Sequence, residues 1–360
     1  MPWIQTYSAQ VLSLLLLFVI AAMPSSVAFG QDKESNSVKV FILAGQSNME
    51  GKAPNALFEH QATDAKTKSL FTHLRDENGW VTRDDVWIKY LGRHGGLTLG
   101  YGTRDRTGLE LEFGTVLGNH FEEPVLLIKT CWGGHSLFRN FRPPSAGMPA
   151  DETLQEEWER AKTNKQKQNE KRNRNDALPT MDEITTVYGS SYRNMLQEVK
   201  EVQKNYETLF PELKGKQLEI SGFVWFQGWN DQYGGAEQEY ETNMKHLIND
   251  IRKDLGVKKM PVVIGLMGQN GSKPAKGPML AIQQAQMAMM SVNDFQGNVV
   301  SIRTDELVDK AAEELYPEWK ERFEEWKLVG GDRPYHYLGS AIWFNRIGNK
   351  MAKSMIELME

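Results

Sequence analysis

Five short apolar runs constrain the fold of this chain more than any other feature. They are Val38–Leu43 (VKVFIL), Val125–Ile128 (VLLI), Ile220–Phe226 (ISGFVWF), Val262–Met267 (VVIGLM) and Val299–Ile302 (VVSI). Each has strand length, β-branched or aromatic content, and Gly, Asn or Asp punctuation after it. Near-continuous apolarity, without alternation, marks strands buried on both faces. Between the runs lie helical patterns at Leu109–His120, Ser191–Leu209, Glu237–Leu255, Met279–Met290 and Leu338–Met359. In the third of these, Tyr240, Met244, Leu247, Ile248 and Ile251 recur at helical spacing. Strands alternating with helices imply a parallel sheet covered on both faces, that is, a three-layer α/β/α sandwich around a mainly parallel five-stranded sheet.

Two stretches exceed the minimal version of that plan. Pro54–Gly108 is rich in Gly, Asp and Arg, lacks a clear strand, and reads as an elaborated surface or lid. Asp151–Asp176 is almost wholly charged and polar, as expected of a solvated helix or mobile segment. The expected organisation is a signal segment over residues 1–30, then one domain over 31–360 with insertions near 54–108 and 141–180.

The signal reading rests on Val11–Met23 (VLSLLLLFVIAAM), too short to span a bilayer comfortably, followed by small residues at Ala28 and Gly30. Met1–Gln10 carries no Lys or Arg, so an uncleaved anchor is the competing reading. Cleavage predicts a secreted or periplasmic protein without stable membrane association. Export permits disulfides, yet Cys131 is the sole cysteine, so a hydrophobic core must supply the stability. Its position after an apolar run makes it a buried small hydrophobe before it is a nucleophile. A net charge of -5 argues against nucleic acid as a partner.

The chemistry stands at the strand ends. After the first run comes Ala44-Gly45-Gln46-Ser47-Asn48-Met49, after the second Trp132-Gly133-Gly134-His135, and after the third Gln227-Gly228-Trp229-Asn230-Asp231. In an open parallel sheet the ligand crevice lies beyond the carboxyl ends of the strands, so these turns are expected to converge. Acyl transfer needs a nucleophile, a base, and donors aimed at the oxyanion of the tetrahedral intermediate. Ser47, past a strand and at a helix start, is the candidate nucleophile and one N–H donor. Gly134 or Gly133 offers a second N–H, and the Asn230 amide a third. Losing one such donor typically costs about 3–4 kcal/mol of transition-state stabilisation. Among seven histidines, His336 is ranked first as base, in the turn-rich loop before the last helix, and His135 a distant second. Taken singly, each motif is equally well a helix cap or a tight turn. Their joint occurrence in this order is harder to produce by accident.

These motifs together resemble the SGNH (GDSL-like) hydrolase superfamily. The Gly45-Gln46-Ser47-Asn48-Met49 variant is similar to the sialate O-acetylesterase and acetylxylan-esterase branch of the carbohydrate esterases. The resemblance implies a flavodoxin-like fold, hydrolysis without metal or other cofactor, and an acetylated carbohydrate as substrate. It makes Ser47 the nucleophile, His336 the base, and Ser47, Gly134 and Asn230 the oxyanion hole. Gln46, Trp132, His135, Gln227 and Trp229 are the candidate substrate contacts. One departure stands out. The family often places an aspartate three residues before the histidine; here that position is Arg333, which leaves Asp332, one residue further back, or a backbone carbonyl in a Ser-His dyad, to orient the ring. A lipase, thioesterase or arylesterase of the same superfamily, and a non-catalytic sugar-binding relative, are the competing functions.

Overall fold

The computed structural model describes residues 36–360; the expected signal segment lies outside the described residues. In chain order the strands are β1 (Ser37–Gly45), β2 (Ala53–Pro54), β3 (Arg75–Asp76), β4 (Gly79–Trp80), β5 (Val86–Tyr90), β6 (Arg93–Gly96), β7 (Arg106–Thr107), β8 (Val125–Cys131), β9 (Gln217–Phe226), β10 (Val262–Gly265) and β11 (Val299–Ile302). The helices are α1 (Ser47–Glu50), α2 (Asn55–Gln61), α3 (Glu110–His120), α4 (Asp151–Arg172), α5 (Met181–Val187), α6 (Ser190–Leu209), α7 (Tyr240–Asp254), α8 (Gly277–Ala288), α9 (Lys310–Leu315), α10 (Phe323–Trp326) and α11 (Ala341–Met359).

The central sheet has seven strands in the order β11-β10-β9-β1-β8-β5-β6, parallel throughout except for β6, which returns antiparallel to β5. All five predicted strands are present, and the count of five is corrected to seven. The two added strands both come from the 54–108 stretch, which therefore does contain strand. β5 (VWIKY) is short and carries a lysine at its next-to-last position. β6 (RHGG) has no strand composition at all and is held only as an edge, where a strand needs one partner.

Burial on two faces follows from the two-residue period of a strand. In β1, Phe41 and Leu43 point into one core with α3 and α11, while Val38, Val40, Ile42 and Ala44 point into the other with α6, α7 and α8. β8 and β9 divide the same way, Leu127 and Val224 to the first face, Ile128 and Trp225 to the second. This is the three-layer sandwich. α4 stands apart. It buries only Leu154, in a small cluster with Ile184 and Tyr188, and presents charge elsewhere. Among the described residues no helix is long and apolar enough to cross a membrane.

Candidate functional site

The register of the sheet brings the three predicted turns together. Gly45 at the end of β1 pairs with Cys131 of β8 on one side and Phe226 of β9 on the other, so the three strands end level. A side chain at Gly45 has no room: a Cβ there would lie 2.2 Å from the Phe226 carbonyl oxygen. The chain then turns directly into α1, a single helical turn that begins with Ser47.

Ser47 Oγ lies 2.8 Å from His336 Nε2, across 289 residues of sequence. Both side chains are nearly buried, at 8% and 9% exposure. The loop carrying His336 is fixed from behind. Tyr337 and Leu338 adopt left-handed backbone at φ 51° and 58°, conformations that non-glycine residues hold only where the surroundings impose them. Tyr337 supplies the restraint: its buried hydroxyl accepts from the Gly268 N–H at 2.9 Å and sits 3.0 Å from Thr304 Oγ1. Burial pushes the His336 imidazole down to about 4; Lys52 and Arg333 add to this, and Glu50 and the Arg333 carbonyl oppose it. The ring is therefore neutral at ordinary pH.

The other predicted residues fall into three groups. Gly134, Asn230 and Ser47 stand at the ends of β8 and β9 and the start of α1. Gly134 has φ 81°, which its turn requires of a glycine, and open space around it. Gly133 is different, since its N–H is already donated to Glu50 Oε1 at 2.7 Å. Gln46 and Gln227 form the second group. They are 1% and 2% exposed, and protein partners occupy their amides. Gln46 Oε1 accepts from the Gln227 amide (3.1 Å) and from the N–H groups of Gly228 and Asn230 (3.3 Å each), while its Nε2 donates to Asn230 Oδ1 at 3.1 Å. The expected contact residues Gln46 and Gln227 thus form the frame beneath the site. With Oδ1 taken, the Asn230 amide has Nδ2 as its remaining polar end. Trp132, His135 and Trp229 are partly exposed at the rim; Trp132 stacks on His135 with ring centres 6.2 Å apart. His135 Nδ1 pairs with Ser191 at 2.7 Å, and burial lowers its pKa.

Asp332 is the third case. Its carboxylate takes two hydrogen bonds from Arg106, at 2.8 and 2.9 Å, and is half-exposed on the far side of the loop. His336 Nδ1 has no hydrogen-bond partner among the described residues. The aspartate holds the loop down to β7 and makes no contact with the ring.

Four residues to which the sequence analysis gave no role support the site. Glu50, one helical turn after Ser47, holds Gly133 and is itself paired with Lys52 at 2.6 Å. Its i+3 spacing from Ser47 was the available signal. Asp231 is fully buried and accepts from the Leu137 and Phe138 N–H groups and from Gln227; burial raises its carboxyl to about 6. Lys129 and Glu110, both without solvent exposure, form an ion pair at 2.8 Å, and Lys129 also donates to the Glu50 carbonyl at 3.0 Å. Cys131 is buried and its thiol is pushed up to about 12, so it stays protonated. Among the described residues no group of three or more His, Cys, Asp or Glu side chains is gathered so as to hold a metal ion.

Two cavities flank these residues. One, of about 450 Å³, includes Asn230 in its lining; the larger, of about 790 Å³, lies behind the histidine loop and is lined by Pro54, Leu57, Phe323, Asp332 and Arg333.

An α/β/α sandwich with polar turns converging at the carboxyl ends of its parallel strands, and a serine and histidine in contact there, defines a hydrolase of the SGNH type. The family model described as carbohydrate esterase, sialic acid-specific acetylesterase matches residues 37–314, and the chain belongs to that family. No curated protein matches the sequence. Solved structures with a similar fold include a protein of Arabidopsis thaliana (15% identity, TM-score 0.49, covering 88% of this chain and 97% of that one). Others are a carbohydrate acetylesterase of Xanthomonas citri (14%, 0.40, 75% and 51%) and NanS (14%, 0.41, 75% and 78%).

Proposed function

We propose that this carbohydrate esterase removes acetyl groups from sugars by a serine mechanism, with Ser47 as nucleophile and His336 as general base. The observation that carries the reading is the 2.8 Å contact between Ser47 Oγ and His336 Nε2 in a nearly buried site. His336 Nε2 takes the hydroxyl proton as Oγ attacks the acetyl carbonyl carbon. The oxyanion that forms is met by the N–H groups of Ser47 and Gly134 and by Asn230 Nδ2. Collapse breaks the bond to the sugar oxygen, which takes the proton from His336 and leaves as a hydroxyl. Water then repeats the sequence on the acetyl-serine and releases acetate.

Two networks favour this assignment. Gln46 fixes Asn230 by its carbonyl end, and Glu50 occupies the Gly133 N–H, leaving Gly134 as the donor of that turn. The base works as a Ser–His dyad in which Asp332 secures the loop through Arg106. The Arg333 backbone carbonyl favours a proton on the ring, and among the described residues no acid stands at Nδ1. Removal of the 1–30 segment and export complete the proposal.

The test is acetate release from 4-nitrophenyl acetate and from acetylated glycans, with Ser47→Ala beside the wild type. Turnover that falls by about 10⁴-fold or more in a folded variant supports the serine mechanism. Undiminished turnover in Ser47→Ala refutes it.

A further inference from the structure

The 450 Å³ cavity is far larger than an acetyl group needs, and it shares Asn230 with the proposed oxyanion hole. Its walls come from two sources. One is the loop after β9, where Tyr233 is 62% exposed beside Gly234 and Gly235. The other is α4, whose Glu157, Arg160 and Asn164 recur at spacings of three and four and so share one helix face. The floor is built rather than incidental. Arg139 pairs with Glu157 at 2.7 Å, the Tyr188 hydroxyl donates to the same carboxylate at 2.5 Å, and Phe138 packs edge-on against Tyr188. Arg139 Nε is buried without a hydrogen-bond partner among the described residues, and Arg160 has only a 3.4 Å contact to the Glu156 carbonyl of its own helix.

We propose that this groove is a subsite for the sugar units next to the acetylated one, so that the substrate is an oligosaccharide chain rather than a single acetylated sugar. The inference rests on the esterase reading above for its reacting end, and on the groove alone for the rest. A sugar ring offers an apolar face for stacking on an exposed aromatic and an edge of hydroxyls for charged and amide groups. Tyr233 supplies the first; Arg139, Arg160 and Asn164 supply the second. An acyl chain would meet four charged or amide groups that it has no means of satisfying. The exposed charged face of α4 thereby acquires a purpose: it is the outer wall of a glycan-binding groove.

The experiment has a binding arm and a kinetic arm. Ser47→Ala protein is titrated calorimetrically with xylohexaose and with a sialyl-oligosaccharide, each against its monosaccharide, with and without Tyr233→Ala and Arg160→Ala. The expected result is that one oligosaccharide binds more tightly than its monosaccharide, and that each substitution weakens it roughly tenfold. In the otherwise wild-type enzyme, the same substitutions lower the ratio of kcat/KM on the acetylated oligosaccharide to that on 4-nitrophenyl acetate by a similar factor. Oligosaccharides that bind no better than single sugars, or whose binding ignores both substitutions, overturn the subsite. Loss of all ester turnover in the wild type would instead overturn the esterase reading, with the binding arm still deciding the groove.

Discussion

A histidine proposed to accept a proton must be neutral before the reaction begins, and the surroundings of His336 favour its neutral form. Its ring is nearly buried and stands near Lys52 and Arg333, which together hold it down to about 4. Protonation therefore removes the base only as pH falls through about 4, and kcat/KM should stay flat from neutrality to well below 6.5. Arg333→Gln removes one of the cations, so the acid limb should move upward, toward the ordinary histidine value. A pH–rate profile of both proteins reads this directly. The same shift bears on stability with a definite sign. The unfolded chain takes up a proton on this ring near 6.5 and the folded chain only near 4, so this contribution is lost as pH falls between the two. Asp231 opposes it. Raised to about 6 from 3.8, it binds its proton more readily in the folded state, so its contribution declines as pH rises through that interval. At Gly45 the constraint is steric. Gly45→Ala should destabilise the protein by about 1–3 kcal/mol in denaturant unfolding, because the Phe226 carbonyl 2.2 Å from the new Cβ belongs to the neighbouring strand and has little room to yield.

Single elements carry more than their own packing. β8 is apolar except for Lys129 and Thr130; the Lys129 ammonium sits in the core against Glu110 of α3 and holds the carbonyls of Glu50 and Tyr101. The pair couples the strand, the helix behind it and the end of α1. Lys129→Met should therefore lower stability by about 3–5 kcal/mol, since it strands the Glu110 carboxylate and two carbonyls in the interior. Adding Glu110→Leu should restore part of that loss, which comparison of the two Tm values would measure. The sequence pattern of elements was legible where burial is complete. VKVFIL, VLLI and ISGFVWF can be little else than interior strands, and α6 and α7 announce their apolar stripes. β6 was not legible because an edge strand satisfies hydrogen bonds without an apolar signature, and RHGG is a strand only because β5 lies beside it; β5 is interior, between β8 and β6, but its apolar run is short and interrupted by Lys89.

At the scale of the whole molecule, the sheet order turns scattered motifs into one site. The meeting of the turns that carry Ser47, Gly134 and Asn230 was legible because strand ends in a parallel sheet must converge, whereas His336 comes from the loop before α11 and meets Ser47 at 2.8 Å. The role of Gln46 as a bracket and the capture of Asp332 by Arg106 were not, because both depend on side-chain partners 184 and 226 residues away that no local pattern encodes. If the dyad is the reacting unit, a fluorophosphonate probe should label Ser47 in the native protein. It should fail to label folded His336→Ala, although the serine is still present; mass spectrometry of the labelled peptide checks this.

The 289-residue separation of that serine from its histidine also sets a clock on synthesis. Ser47 is translated early and His336 near the end, immediately ahead of α11, which packs on one face of the sheet. For most of its time on the ribosome the growing chain carries an ordinary, unreactive hydroxyl. If the proposed dyad is the reacting unit, a product truncated before His336 should be chemically silent.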